Sequence, residues 1–358
     1  MRPIDTRWIR EDEPLQQAAD ALVAGQVVAF PTETVYGLGA DALNEDAVRA
    51  IYTAKGRPSD NPLIVHIYPG FDLKRVVAEI PPQAKELMEA FWPGPLTLIF
   101  PQNPSVPYAT TGGLETVGIR MPSHPRAMEL LRLADIPVAA PSANRSGRPS
   151  PTTAAHVWED MQGRIAAIVD GGPCSVGLES TIVDLTGSVP LLLRPGGITL
   201  EMLEAVVGTV EVEPSVAKGL AIAEDEHPKA PGMKYRHYAP KGTMILLRGT
   251  DRAKTAYVSA HLADVAGKTG ILGSHEWILT LQQSMDLSGF DLEDLGSRTE
   301  PEIMSRRLFD ALRRFDTSGC THIFGEALQE DGLYMAMMNR MRRAAAGTII
   351  DVNETPED

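Results

Sequence analysis

Apolar positions from the N-terminus to about residue 210 switch between two periods. In EPLQQAADALVAG, Leu15, Ala18, Ala19 and Leu22 recur at i, i+3, i+4 and i+7, and Gly25 follows as a stop. That spacing predicts a helix with one buried face. QVVAF reads as a short buried strand. EDAVRAIYTAKG returns to the helical period, with Val48, Ile51 and Tyr52 on one face and Lys55 beside Gly56 at its end. In PLIVHIY, Leu63, Val65 and Ile67 fall on one side of a strand and Ile64, His66 and Tyr68 on the other. TVGIRMP likewise sets Thr116, Gly118 and Arg120 on one face. LTLIF, PVAA, AAIVD, STIVDL and PLLL are further strands. The pattern predicts an α/β domain with a sizeable mixed sheet.

Between about Glu211 and Pro240 the periodicity breaks. EVEPSVAKGLAIAEDEHPKA carries five acids against two lysines and reads as a linker. KAPGMKYRHYAPK then gathers Lys229, Lys234, Arg236, Lys241 and His237 with no acid among them. A second α/β rhythm follows, including the stripe Leu308, Ala311, Leu312 and Phe315 in PEIMSRRLFDALRRFD. A small Rossmann-like layer fold is expected for it. The expected organisation is a catalytic domain over 1–210, a linker over 211–241 and a C-terminal domain over 242–350.

Length agrees with two domains, since 358 residues is long for one. The chain is 43% hydrophobic and 22% charged, enough apolar material for full cores. Its formal net charge of −14 speaks against attraction to nucleic acid or an anionic membrane as the main activity. Cys174 and Cys320 give neither a disulfide framework nor a zinc quartet, so a reducing compartment is expected. The N-terminal MRPIDTRWIRED lacks the apolar core of a signal peptide, and no apolar run reaches membrane length. A soluble, cytoplasmic protein is the expectation.

Familiar catalytic signatures are missing. GLGADA fits a loose dinucleotide pattern after a strand, but a lone match of that kind is weak. GKTG at Gly267 lacks the upstream glycine of a phosphate-binding loop and runs from helix to strand. The eight histidines show no zinc spacing, and no nucleophile elbow is present.

Chemistry gathers instead on polar loops. KGRPSDNPL sets Lys55, Arg57, Ser59, Asp60 and Asn61 on a segment stiffened by Pro58 and Pro62. Its cations suit phosphate, and arginine offers a planar fork of donors; the plainer reading is a solvated surface loop. PTETVYGLG puts Thr32, Glu33, Thr34 and Tyr36 after a strand, where a capped turn would also account for them. APSANRSGRPSPTTAAHV carries Ser142, Asn144, Ser146 and Ser150 toward a helix start near Thr152. A helix start suits an anion, although simple capping explains it equally. LESTIVDL and LLLRPGG add Ser180 and Arg194. Ligand sites in open α/β sheets gather from such loops.

PTETVYGLG, KGRPSDNPL, FWPGPLTLIF, VGIRMPSHP, PSANRSGRPSPT, LESTIVDL and LLRPGGI together resemble the YrdC-like family of L-threonylcarbamoyladenylate synthases. PGMKYRHYAP and the tail resemble its longer, two-domain branch. The resemblance implies a twisted mixed sheet with a concave cationic cavity, plus a small C-terminal Rossmann-like domain. It implies that L-threonine, bicarbonate and ATP, with Mg2+, give threonylcarbamoyl-AMP and pyrophosphate. The product would pass to a separate transfer machinery that makes t6A on tRNA. Carried over by position, Thr34, His66, Arg120 and Ser180, with the backbone of Ala140, match the threonine pocket, and Arg120 is expected to pair with the amino acid's carboxylate. Lys55, Arg57, Asn61, Thr116, Ser142, Asn144, Ser150 and Arg194 match the nucleotide side, Lys55 and Arg57 as catalytic cations. Tyr235 and Arg236 match linker residues that fold over the cavity. No metal ligand is assigned to the protein.

Two other functions fit parts of the pattern. An RNA-binding module would use the same basic concavity, but the net charge and the shortage of stacking aromatics weigh against it. A carbamoyl-transfer enzyme acting on carbamoyl phosphate would need zinc-finger and acylphosphatase-like segments that this chain lacks.

Overall fold

A computed structural model describes residues 4–218, 228–231, 238–262 and 267–353. Two compact units emerge, Met1–Ser146 with Ser150–Tyr235 and Gly147–Pro149 with Arg236–Asp358. Tyr235 and Arg236, expected at the nucleotide, lie outside the described residues.

In the first unit the elements are β1 (Arg7–Ile9), α1 (Gln16–Val23), β2 (Val28–Phe30), β3 (Gly37–Asp41), α2 (Glu45–Lys55), β4 (Ile64–His66), α3 (Pro82–Phe91), β5 (Leu96–Pro101), α4 (Tyr108–Thr111), β6 (Thr116–Arg120), α5 (Pro125–Ala134) and β7 (Val138–Ala139). After them come α6 (Ala154–Met161), β8 (Ala167–Val169), β9 (Thr181–Asp184), β10 (Leu191–Arg194), α7 (Leu200–Val207), β11 (Glu211–Val212) and α8 (Pro214–Lys218). The strands form one mixed sheet in the order β1-β8-β2-β3-β7-β4-β6-β5-β9-β10-β11. α1 buries its predicted stripe, Leu15, Ala18, Ala19 and Leu22, with Leu130, Leu131 and Ala134 of α5 over Val28, Phe30 and Val169. Full burial of each leucine contributes about 1.5–3 kcal/mol.

GLGADA is no phosphate turn, in keeping with the weakness of a lone match: Gly37–Asp41 is strand β3, paired antiparallel with β2 and β7. Its glycines make room for a ring: a Cβ on Gly39 would sit 2.7 Å from both Phe30 and Val138. The first residues of the expected linker carry regular structure. Glu211–Val212 pairs parallel with Leu191–Leu192, and Pro214–Lys218 is helical.

The second unit comprises β12 (Thr243–Arg248), α9 (Asp251–His261), β13 (Thr269–Gly273), α10 (His275–Ser284), β14 (Phe290–Asp294), α11 (Pro301–Ser318), β15 (His322–Glu326), α12 (Gly332–Ala344) and β16 (Ile349–Asp351). All five strands are parallel, in the order β14-β13-β15-β12-β16. Val258 of α9 and Trp277, Ile278 and Leu281 of α10 pack over Leu247, Ile271 and Phe324. α11 covers the opposite face, since a Cβ on Gly270, the neighbour of Ile271, would meet Phe315 at 2.5 Å. The layered parallel arrangement is Rossmann-like, with β15 inserted between β12 and β13. Among the described residues no helix is long and apolar enough to cross a membrane.

Candidate functional site

Five neighbouring strands build the site. Gly118 of β6 lies opposite Ile64 of β4 and Ile99 of β5, and Arg120 lies opposite His66 on one side and Thr97 on the other. Thr97 pairs in turn with Ile182 of β9, and Ile182 with Arg194 of β10. Because side chains on one face repeat every second residue, Thr116, Gly118 and Arg120 share a face, as the alternation predicted. His66, Arg120, Thr97 and Arg194 therefore cross it as a row.

Hydrogen bonds lock that row. The Thr97 and Ser180 hydroxyls meet at 2.7 Å. Arg194 donates through Nε to the Ser180 carbonyl at 2.9 Å and through Nη2 to its Oγ at 3.1 Å. Arg120 donates through Nη2 to Glu33 Oε1 at 2.7 Å, and the Ser123 N–H donates to Glu33 Oε2 at 3.1 Å. Both partners are buried, with side chains 4% and 6% exposed. Arg120, expected to hold a ligand carboxylate, thus already holds a protein carboxylate. Thr34, wholly buried, has its hydroxyl 2.9 Å from that of Thr32. The N–H of Ala140 is donated to Ile64 at 2.8 Å, so its backbone can serve a ligand only through its carbonyl.

Burial first, and the Arg120 charge second, lower the pKa of His66 to about 3. Its Nδ1 lies 3.1 Å from the Ile64 carbonyl. With a folded value below the ordinary 6.5, His66 stabilises the fold as a neutral ring above that pH, and the contribution is lost as pH falls toward 3. Its carbon resonances are accordingly expected to stay constant between about pH 8 and pH 5. A titration in that window, followed by NMR, would show a solvated ring instead. Cys174 is buried, and desolvation followed by the Glu33 charge pushes its thiol far up, so it offers no thiolate nucleophile.

The second cluster follows from the length of α2. Asn44 caps the helix, accepting from the N–H groups of Asp46 and Ala47, and left-handed Gly56 ends it. Lys55 stands seven residues after Val48, on the same buried stripe, and is carried inward with it. Its Nζ donates to the Ser142 carbonyl at 2.5 Å, the Asn144 carbonyl at 2.6 Å and Asn144 Oδ1 at 3.3 Å. The Ser142 hydroxyl donates to the same Oδ1 at 2.5 Å. Past Gly56 the chain folds back, and Arg57 donates to the carbonyls of Asn61 and Pro62 at 3.4 and 3.2 Å. Asn61 Oδ1 is buried and has no partner among the described residues. Ser150 donates to Glu179 Oε1 at 2.5 Å. The turn after β2 links the two clusters: Glu33 reaches Arg120, Tyr36 accepts from the Ala143 N–H at 2.8 Å, and Gly37 bridges Ser142.

Residues 229–231 cover part of the face. Ala230 is fully buried against Ile64, Ile99, Ile182 and Leu193. The Pro231 carbonyl accepts from Arg194 Nη1 at 3.2 Å. A small cavity of about 10 Å³ lies among Lys229, Pro231, Thr116, Gly118 and Ile182.

Thr97 and Glu179 escaped the sequence reading, and Glu33 was seen without a role. The sole signal for Glu33 was a charged residue inside an otherwise neutral turn. As for metal, no three His, Cys, Asp or Glu side chains gather to hold an ion among the described residues. Of the nearby carboxylates, Glu33 accepts from Arg120 and the Ser123 N–H, and Glu179 from Ser150.

Comparison with known proteins places the chain in a family. Residues 20–196 match the Sua5/YciO/YrdC family model, described as telomere recombination. Residues 198–346 match the model of the threonylcarbamoyl-AMP synthase C-terminal domain. Among relatives, the chain is similar to threonylcarbamoyl-AMP synthase of Pyrococcus abyssi, 45% identical over 98% of this chain and 99% of the relative. It is also similar to that of Bacillus subtilis, 46% identical over 95% of each. A crystal structure of P. abyssi Sua5 complexed with L-threonine aligns with a TM-score of 0.88 at 45% identity, over 97% of this chain and 99% of that one. With near-complete coverage at this identity, the chain belongs to the threonylcarbamoyl-AMP synthase family.

Proposed function

We propose that the protein joins L-threonine, bicarbonate and ATP into threonylcarbamoyl-AMP and pyrophosphate, the activated intermediate for t6A on tRNA. The observation that carries this reading is the set of four buried cations, Lys55, Arg57, Arg120 and Arg194, all in one unit and none more than 9% exposed. Buried charge is costly and is ordinarily found with partners. Lys55 donates to the Ser142 and Asn144 carbonyls and Arg194 to those of Ser180 and Pro231, contacts that fix the direction of each cation. That arrangement suits a polyphosphate.

The chemistry asks for positioning more than for reactive groups. The threonine amine forms a bond to the bicarbonate carbon, whose C–OH bond breaks, the hydroxide leaving as water with an amine proton, to give a carbamate. A carbamate oxygen then attacks the α-phosphorus, and the bond to the pyrophosphate oxygen breaks. Two anions brought to about 3 Å repel strongly in a closed site, so cations aimed at the developing charge supply most of the catalysis. In this reading Lys55 and Arg57 face the phosphates, with Ser142, Asn144, Ser150, Thr116 and Asn61 completing the nucleotide side. The orphaned Asn61 Oδ1 is the kind of acceptor an adenine amino group would satisfy. Arg120, Thr34, His66, Ser180 and the Ala140 carbonyl form the threonine pocket, where neutral His66 contributes shape and a ring nitrogen without charge. Magnesium accompanying ATP belongs with the triphosphate oxygens and water.

Pyrophosphate release tests the proposal. With ATP and bicarbonate it is expected to depend on threonine, and to fall sharply with serine or no amino acid. Release that ignores the amino acid, together with salt-sensitive RNA binding, would favour the RNA-binding reading instead.

The cover formed by residues 229–231 supports a further part of this reading, a linker that keeps water from the mixed anhydride. Exchanging residues 229–241 for a Gly/Ser tether is expected to leave ATP consumption but lower the recovered product. Equal recovery would remove the idea.

A further inference from the structure

The second unit has a cavity of its own. β12 runs into α9 on the sheet face shared with α10, whereas β15 runs into α12, which packs with α11 on the other face. Neighbouring parallel strands whose chains leave toward opposite faces open a crevice beyond their carboxyl ends, where open α/β sheets bind ligands. A cavity of about 430 Å³ lies at that point, within the range of small-molecule sites. It is lined by residues 249–251 after β12, by Glu326 at the end of β15 and residues 327–329 after it, with Lys254, Arg298 and Tyr334 between them.

Four charges are arranged there in two layers. Beneath, Lys254 and Glu326 are 2% and 3% exposed, and Nζ donates to Oε1 at 2.6 Å. Glu326 Oε2 also accepts the Ser274 N–H at 2.7 Å. Above them, Arg298 and Asp251 are 36% and 23% exposed, with Nη1 donating to Oδ2 at 3.0 Å. Cross-links join the layers: Lys254 to Asp251 at 2.9 Å, and Arg298 Nε to Glu326 at 3.0 Å.

A network meant only to hold strands together needs no opening above it. Apolar side chains of the same volume often stabilise a fold as well or better, and they would fill the space. The signs of the charges also select the ligand. A phosphate would approach two carboxylates, and a simple amine would approach Lys254 and Arg298. Each such like-charge contact is unfavourable near a protein surface. A molecule carrying both signs a few ångströms apart avoids both penalties.

We propose that this crevice binds a free α-amino acid as its zwitterion, with its carboxylate on Arg298 and its ammonium on Asp251. Ala327 and Leu328 offer apolar surface for a small side chain. The claim stands apart from the reaction assigned to the N-terminal unit.

Hydrogen-exchange mass spectrometry on the full chain tests it, with single α-amino acids at millimolar concentration beside acetate, ethylamine and inorganic phosphate. At least one amino acid is expected to slow exchange in peptides covering 247–256 and 326–334, while the three controls leave them unchanged. Arg298→Lys, which keeps the charge and loses the fork, is expected to weaken that protection about tenfold in ligand concentration, with threonine-dependent pyrophosphate release intact. The wild-type measurement needs no variant to fold. Protection by none of the amino acids, equal protection by acetate or phosphate, or full protection in Arg298→Lys would each overturn the proposal. Loss of pyrophosphate release in the wild type would count against the N-terminal reading alone.

Discussion

Replacing Arg120 with methionine is expected to abolish threonine-dependent pyrophosphate release and to destabilise the N-terminal unit by about 3–5 kcal/mol. The second effect arises because Glu33 is left as a carboxylate only 6% exposed, with the Ser123 N–H but no cation. The double variant Arg120→Met with Glu33→Gln removes both charges together. It is expected to regain most of the stability, since a neutral amide tolerates burial far better than an unpaired carboxylate. Activity should remain lost. Urea unfolding and pyrophosphate release on the two variants therefore separate the residue's place in the fold from its proposed role at the ligand. Turnover in the double variant would remove Arg120 from the threonine pocket.

Lys55→Met should be nearly as severe for a different reason. The substitution withdraws one donor from three oxygens, the Ser142 and Asn144 carbonyls and Asn144 Oδ1. A buried acceptor left without a partner costs about 1–3 kcal/mol, so the 142–146 segment is expected to exchange amide hydrogens faster. The same ammonium is read as a phosphate cation, and its loss is expected to lower kcat/KM for ATP by about two to three orders of magnitude. Lys55→Arg distinguishes the two roles. Arginine keeps the charge but cannot place a compact ammonium among three oxygens. Wild-type kinetics in that variant would show that charge alone matters and that the brace does not.

Local patterns were the legible part of this protein. The Leu15, Ala18, Ala19 and Leu22 stripe is buried as its spacing demanded, and Thr116 and Arg120 share the face that alternation gave them. Pairing partners were not legible, because they depend on strand order. Thr97 joins Arg120 to the Ile182 and Arg194 strands only because β9, far along the chain, lies against β5. Nothing in LTLIF signals that. Glu211–Val212 looked like linker for the same reason: a two-residue strand has no period, and its partner lies about twenty residues upstream. The glycines of GLGADA satisfy a loop pattern in sequence, and in the fold they make space for Phe30.

Lys55 keeps its address through rotational phase. It ends a helix capped at Asn44 and closed at Gly56, and each residue of an α-helix turns the chain by about 100°. Removing one residue between those ends would swing the ammonium a quarter-turn or more out of the protein, however ordinary the deleted side chain. α2 should therefore accept many exchanges on its outer surface during evolution and almost no change in length.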